Sequence, residues 1–338
     1  MWLSAALAAI GFSLAGTVRG ETERTSTGLD SLRSYYLACG AVERASLELL
    51  WFVLSPDLPR LVPKGSTVMN YTFDSGVARV EFLPEAGKLD VNKVPVDQLN
   101  RLLVALGTDP QRAGEIAMNI AAWRQTGPGN GGLAVAIDPV ASSFQTPHAS
   151  FQGIEEMLAV KGVTPEIFYG TYVPAPDYAP AGAPRLLARP GLVDCLSVFG
   201  SSEAVDVNTA QPAVLAAIGL PPDAIALILD RRRVKPFTLD EINSVLGATG
   251  IPTGRLRVEG NSIVTIRATA RLRLPDGQLS DLKRTVAAMV KYMPPGYESR
   301  MHILRWYDTA FTSDAFPDPA VLVPGAGMPG ASMPGGGN

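Results

Sequence analysis

A chain of 338 residues is long enough for about two folded units of ordinary size. Its 29 basic and 32 acidic side chains leave a formal charge of -3, so no overall positive field is available to attract a phosphate backbone. Two histidines and two cysteines exclude most zinc sites, most Cys/His nucleophile pairs and any dense disulfide framework.

Residues 1–18 contain no charged side chain. As a helix they would reach about 27 Å, just short of a hydrocarbon core of about 30 Å. Trp2, Leu3, Leu7, Ile10, Phe12, Leu14 and Val18 are the candidate membrane and assembly residues of this segment. A secretory signal would open with a basic region, and none precedes the apolar run here. The run passes through RGETERTSTG into Leu29, Leu32, Tyr36, Cys39, Leu47, Leu50 and Leu54, mostly spaced by three, four or seven. That spacing predicts one long helix over 1–55, apolar all round in its first half and one-sided in its second. The first half would enter an apolar medium and the second would pack its leucines on a globular domain. The plainer alternative for 1–18 is an uncleaved anchor with no role in assembly.

Residues 68–83 mix aromatic and β-branched side chains around Asp74-Ser75-Gly76, which predicts two strands and a turn. From Leu89 to Arg124 the periodicity becomes helical. Residues 126–150 and 171–191 read as irregular connections, and 151–170 between them as a short helical unit. Residues 263–274 alternate as a strand, Pro275-Asp276-Gly277-Gln278 signals a turn, and 282–292 would return. The expected domains are therefore a helix over 1–55, an α/β unit from 61–87 plus 255–307, and a helical insertion over 88–250. In the last 22 residues 11 are Pro or Gly, so 308–338 is expected to be a disordered tail.

At an offset of 116, Leu89-Asp90-Val91-Asn92 with Leu99 matches Val205-Asp206-Val207-Asn208 with Leu215. Two copies of one helix-turn-helix unit are expected, near 88–125 and 205–247. Asp90, Asn92, Asp206 and Asn208 are expected to fix the turn before each helix rather than to bind a ligand. The second copy resembles the helix-hairpin-helix units of DNA-uptake and repair proteins, in which glycine amides meet a phosphate. Here Gly219 is followed by Pro221-Pro222, which have no amide hydrogen to offer. Residues 205–250 sum to -1 and 88–125 to +1, so neither copy is a basic patch. Arg231, Arg232 and Arg233 read as a solvated helix face partly paired with Asp230.

The order LSAALAAIGFSLAGTVRGETER, DSLRSYYLACGAVERA, GKLDVNKVPVDQLNRLL, VDVNTAQPAVLAAIGL, RRRVKPFTLDEI and MHILRWYD resembles one family, the minor pseudopilin known as type II secretion system protein K, over residues 1–307. The resemblance implies an α+β fold: a pilin-like long helix packed on an antiparallel sheet, with a large all-α insertion carrying the two repeats. It implies a non-enzymatic subunit at the tip of a periplasmic pseudopilus, partnered by minor pseudopilins I and J and the major pseudopilin. The protein would sit in the inner membrane through a single pass, with its globular part in the periplasm.

Pilin-like precursors open with a short basic leader and a Gly at the cut, whereas this sequence begins inside the apolar helix. The expectation is that codons upstream encode that leader. No acidic residue precedes Glu21, in keeping with a tip subunit that has nothing above it. Some family members hold calcium in an acid-rich loop after the first repeat. Residues 126–153 contain the single carboxylate Asp138, too few for a cation that takes six or more oxygens, so no cofactor is expected. Cys39 and Cys195 could pair in an oxidising compartment, although free buried thiols are the expectation. His148, after Pro147, reads as a surface residue. The competing functions are a membrane-anchored helix-hairpin-helix protein that binds or takes up DNA, and an anchored enzyme or binding module.

Overall fold

The computed structural model describes residues 2–55, 58–59, 62, 67–124, 149–174, 185–247, 253–258, 262–293 and 296–310. The expected tail from 311 on, the loop carrying Asp138 and His148, and most of the Pro/Ala/Gly-rich stretch after 174 lie outside these residues.

α1 (Trp2–Leu54) is one helix of 53 residues, about 80 Å long. β1 (Val68–Phe73) and β2 (Gly76–Pro84) form a hairpin with Phe73 opposite Gly76, so Asp74-Ser75 is its loop. The insertion begins with a 3-10 turn, Glu85–Gly87, and β3 (Leu89–Asp90), α2 (Val96–Ala105) and α3 (Pro110–Trp123). After the undescribed loop come a 3-10 segment, Ile154–Ala159, and α4 (Pro165–Tyr169). β4 (Thr171–Pro174) and β5 (Leu186–Arg189) pair as a small hairpin, which corrects the expectation of an irregular connection at both its ends. α5 (Leu192–Cys195), β6 (Leu196–Ser197), β7 (Val205–Asp206), α6 (Pro212–Ala217), α7 (Pro222–Val234), α8 (Leu239–Glu241) and β8 (Leu256–Arg257) complete the insertion. The chain then returns through β9 (Ile263–Arg273), β10 (Leu279–Tyr292) and β11 (Met301–Tyr307).

The five long strands make one antiparallel sheet in the order β1-β2-β9-β10-β11. Pro84, the last residue before the insertion, is paired with Val264, just after it. The insertion is therefore a single excursion from one end of the sheet. That end lies beside the carboxyl half of α1, where the Tyr292 hydroxyl donates to the Ser46 carbonyl at 3.1 Å. At the other end the Arg284 guanidinium donates from Nε to the Ser31 hydroxyl at 2.7 Å.

The face that α1 turns to the sheet is small. Ser34, Ala38, Ala41, Val42, Ala45 and Ser46 are buried, with the three alanines fully covered. They meet Tyr71, Phe82, Ile266, Val286, Val290 and Tyr292. This corrects the expectation that Leu29, Leu32, Tyr36, Leu47 and Leu54 pack on the domain, because all five are half or more exposed. The strands already supply the bulk of this core, and a short helix side chain is what lets the helix backbone approach them. Leu50 and Cys39, at the flank, are partly buried against the same core.

A second core fills the insertion, built from Leu99, Leu102, Ile116, Trp123, Phe151, Phe168, Val214, Phe237 and their neighbours. Cys195 is buried in it, whereas Cys39 borders the first core. Both cysteines are free, and burial pushes the Cys195 thiol well above its ordinary pKa.

Candidate functional site: the amino-terminal helix and the paired turns

Trp2, Leu3, Leu7, Ile10, Phe12, Leu14 and Val18 are all exposed along the first half of α1. At 3.6 residues per turn, Leu3, Leu7, Ile10, Leu14 and Val18 fall within the same arc of about 100° as Leu29, Leu32, Tyr36, Leu47 and Leu54. Two apolar stretches, Leu3 to Val18 and Leu29 to Leu54, thus share one side of the helix, opposite the alanines that face the sheet. Trp2 and Phe12 point elsewhere, so the first half is apolar on every side. It is the helix long and apolar enough to cross a membrane among the described residues, by length and composition.

The stripe is interrupted just after Val18. Arg19 pairs with Glu23 and Arg24 with Glu21, all well exposed. Thr17, Thr22, Thr25 and Thr27 each donate a hydroxyl to the carbonyl four residues back, which keeps these polar groups satisfied without help from another element. A charged collar directly after an uncharged span is what a membrane-water boundary requires.

In the insertion, Asp90 accepts from the Asn92 amide at 2.9 Å, and Asp206 accepts from the Asn208 amide at 3.1 Å. Each Asp therefore fixes the turn that leads into its helix pair. Each Asn then reaches across the fold: Asn92 brackets the backbone N–H and C=O of Phe151, and Asn208 those of Phe237. Both phenylalanines are buried. Gly107 (φ 83°) and Gly219 (φ 95°) end α2 and α6 in the left-handed conformation that glycine adopts without strain. Thr108 donates to the Leu103 carbonyl and Leu220 to that of Leu215 in the same closing pattern. The phenylalanine partners lie 59 and 29 residues away from their asparagines, so no local spacing announced them.

The arginine run is not simply a solvated face. Arg232 turns inward and donates to the Val207 and Ala210 carbonyls, as Arg124 does to those of Val91 and Val94. Arg231 pairs with Glu241 and Arg233 with Asp230.

An open cleft of about 360 Å³ lies between the two strand pairs of the insertion, lined in part by Asp90, Lys93, Phe199, Glu203 and Arg257. Lys93 stands 3.3 Å from Asp90, and Arg257 donates to the Ser201 hydroxyl. Among the described residues no group of three or more His, Cys, Asp or Glu side chains could hold a metal ion.

A long helix laid by half its length on an antiparallel sheet, with a helical excursion between two neighbouring strands, defines an α+β, pilin-like fold. Among solved structures, the chain is similar to one from the GspK-GspI-GspJ complex of the enterotoxigenic Escherichia coli type 2 secretion system, at a TM-score of 0.53 and 15% identity. The likeness covers 86% of this chain and all of that one, so the fold is that of a GspK-like minor pseudopilin. No family model matches the chain, and no curated protein does.

Proposed function

We propose that this protein is a minor pseudopilin of a type II secretion system, a structural subunit that joins I-like and J-like partners at the tip of the periplasmic pseudopilus. The observation that carries the reading is the apolar side of α1, present before and after the charged collar and exposed where a monomer would have every reason to cover it. Residues 2–18 would hold the subunit in the inner membrane before assembly, with the sheet and insertion in the periplasm. On leaving the bilayer, the stripe would exchange lipid for the helices of partner subunits, including the major pseudopilin. The insertion would be a projecting module at the far end, with no catalytic duty and no bound cofactor.

The DNA-binding alternative is disfavoured by the hairpins themselves. The Asp109 carboxylate already accepts from the Gln111 and Arg112 amides at the start of α3, which places a negative group where a phosphate would sit. In the second hairpin that place is taken by Pro221 and Pro222.

The test is co-expression of the full chain with the I-like and J-like subunits of the same organism, followed by purification through a tag on one of them. A stoichiometric complex that survives in detergent and is lost on replacing Leu32, Tyr36 and Leu47 with Ser supports the reading. Retention of duplex DNA at about 150 mM salt with no partner recovered would move it to the DNA-binding class.

A further inference from the structure

The chain that follows β11 is held against α1. The Asp308 carboxylate accepts from the Tyr35 hydroxyl at 2.7 Å and from Trp306 Nε1 at 3.0 Å, and the Ala310 amide donates to the Thr285 carbonyl at 3.0 Å. These bonds fix the path as far as Ala310, the last described residue before 311–338. At 3.6 residues per turn, Tyr35 lies about 60° round the helix from buried Ala38 and about 60° the other way from exposed Leu32. Its ring meets that of Tyr36 edge-on, with centroids 5.3 Å apart. Residues 311–338 therefore leave the domain at the border of the exposed apolar side. Within two turns of that point stand Leu29, Leu32 and Tyr36, which are 50%, 51% and 64% exposed.

The longest apolar run in 311–338 is Ala320-Val321-Leu322-Val323, set between Pro319 and Pro324. β-branched residues next to proline favour an extended backbone. A run this short builds no core of its own but can lie on a surface already folded. We propose that it covers Leu29, Leu32 and Tyr36 of the same molecule and shields them until a partner helix displaces it; the displacement, though not the docking, rests on the pseudopilin reading. The lengths agree. Four extended residues span about 13 Å, against about 10 Å of helix from Leu29 to Tyr36, and the link from Ala310 to Ala320 reaches at most about 33 Å. Tethering favours this occupant over a second copy, because a short linker holds the run at an effective concentration in the millimolar range. Lipid is a poorer cover: with residues 2–18 in a bilayer, Leu29 stands about 16 Å beyond Val18, past the charged collar.

The experiment uses the full chain in phosphatidylcholine nanodiscs, one subunit to a disc, with a benzophenone amino acid in place of Val321. After irradiation and trypsin, mass spectrometry should find a cross-link within one molecule to the peptide 25–33 or 34–44, which carry the three covered residues. Hydroxyl-radical labelling of Tyr36 should rise about twofold or more when 311–338 are deleted. It should rise equally in Val321→Ser/Leu322→Ser/Val323→Ser, which keeps the tether and removes the apolar run, with an unchanged circular dichroism spectrum in both variants. Cross-links only to lipid, to a second copy or to peptides of the insertion would overturn the proposal, as would the absence of any cross-link. So would labelling of Tyr36 that the triple substitution leaves unchanged. No partner subunit takes part in either readout, so their failure leaves the pseudopilin reading standing.

Discussion

Asn208 and Phe237 are joined by two hydrogen bonds, with Oδ1 accepting from the Phe237 amide at 2.7 Å and Nδ2 donating to its carbonyl at 3.1 Å. Asn92 holds Phe151 in the same way, at 2.7 and 3.0 Å. In each half of the insertion a side chain thus closes the unit by completing the backbone pairing of a segment that follows the second helix. Phe151 stacks on Trp123 with ring centroids 5.5 Å apart, so the clamp also sets the core aromatic in place.

The first prediction concerns these clamps. Asn208→Ala would leave a largely buried amide and carbonyl without partners, at a cost of about 1 to 3 kcal/mol. Phe237→Ala, which opens a cavity, should cost about 3 to 5 kcal/mol. Chemical denaturation of the full chain in detergent, followed by near-ultraviolet circular dichroism, measures both. A cost for Asn208→Ala indistinguishable from zero would show that water replaces the clamp.

The two sides of α1 should respond in opposite ways. Ala41→Leu places a large side chain against Ile266 and its neighbours in the sheet core and should destabilise the domain by about 1 to 3 kcal/mol through overpacking. Leu47→Ala removes an apolar group that is 60% exposed, so its effect on the isolated subunit should stay within about 0.5 kcal/mol. The same change should weaken recovery of the I-like and J-like subunits. If Leu47→Ala unfolded the monomer, the leucine side would be core after all.

This contrast also marks what could be read from residues alone. The long helix, the Asp74-Ser75 turn and the β9–β10 hairpin announce themselves through local periodicity and turn chemistry. The facing of α1 does not, because hydrophobic spacing locates an apolar stripe without saying whether the domain or another molecule covers it. Ala38, Ala41 and Ala45 carry a weaker signal than Leu32 and Leu47, yet they are the ones the sheet selects. The Asp turns were legible because their bonds span two residues, whereas the reach of Asn92 to Phe151 crosses a loop of no fixed length. Arg232 looked like its two neighbours, and only the packing of α7 distinguishes it.

The cysteines should behave as separate, unreactive thiols. Cys195 belongs to the insertion core and Cys39 borders the sheet core, so no disulfide joins them. Burial disfavours the thiolate at Cys195, and the thiolate is the reactive form. Native protein at pH 8 should therefore leave Cys195 unmodified by iodoacetamide, with full labelling in denaturant, as read by intact mass. Rapid native labelling at Cys195 would mean that the insertion opens readily.

The last prediction tests the helix where it leaves the domain. The described side chains of residues 2–18 are exposed, so their apolar character answers to lipid or to partner helices. A charge placed among them would lack water in either setting, at a cost of about 2.5 to 3.5 kcal/mol near the centre of a membrane span. Ala9→Asp and Leu14→Arg should therefore reduce membrane retention and abolish recovery of partner subunits. Neither residue touches the sheet or the insertion, so the circular dichroism and thermal transition of the globular part should be unchanged. Arg185→Ala, on the exposed approach to β5, serves as the control that disturbs neither. The decisive comparison is a strain lacking the native gene, complemented with each variant and assayed for export of its secreted proteins. Normal export from Ala9→Asp and Leu14→Arg, with their membrane levels confirmed by fractionation, would show that the apolar side of this helix is not what joins the protein to its assembly.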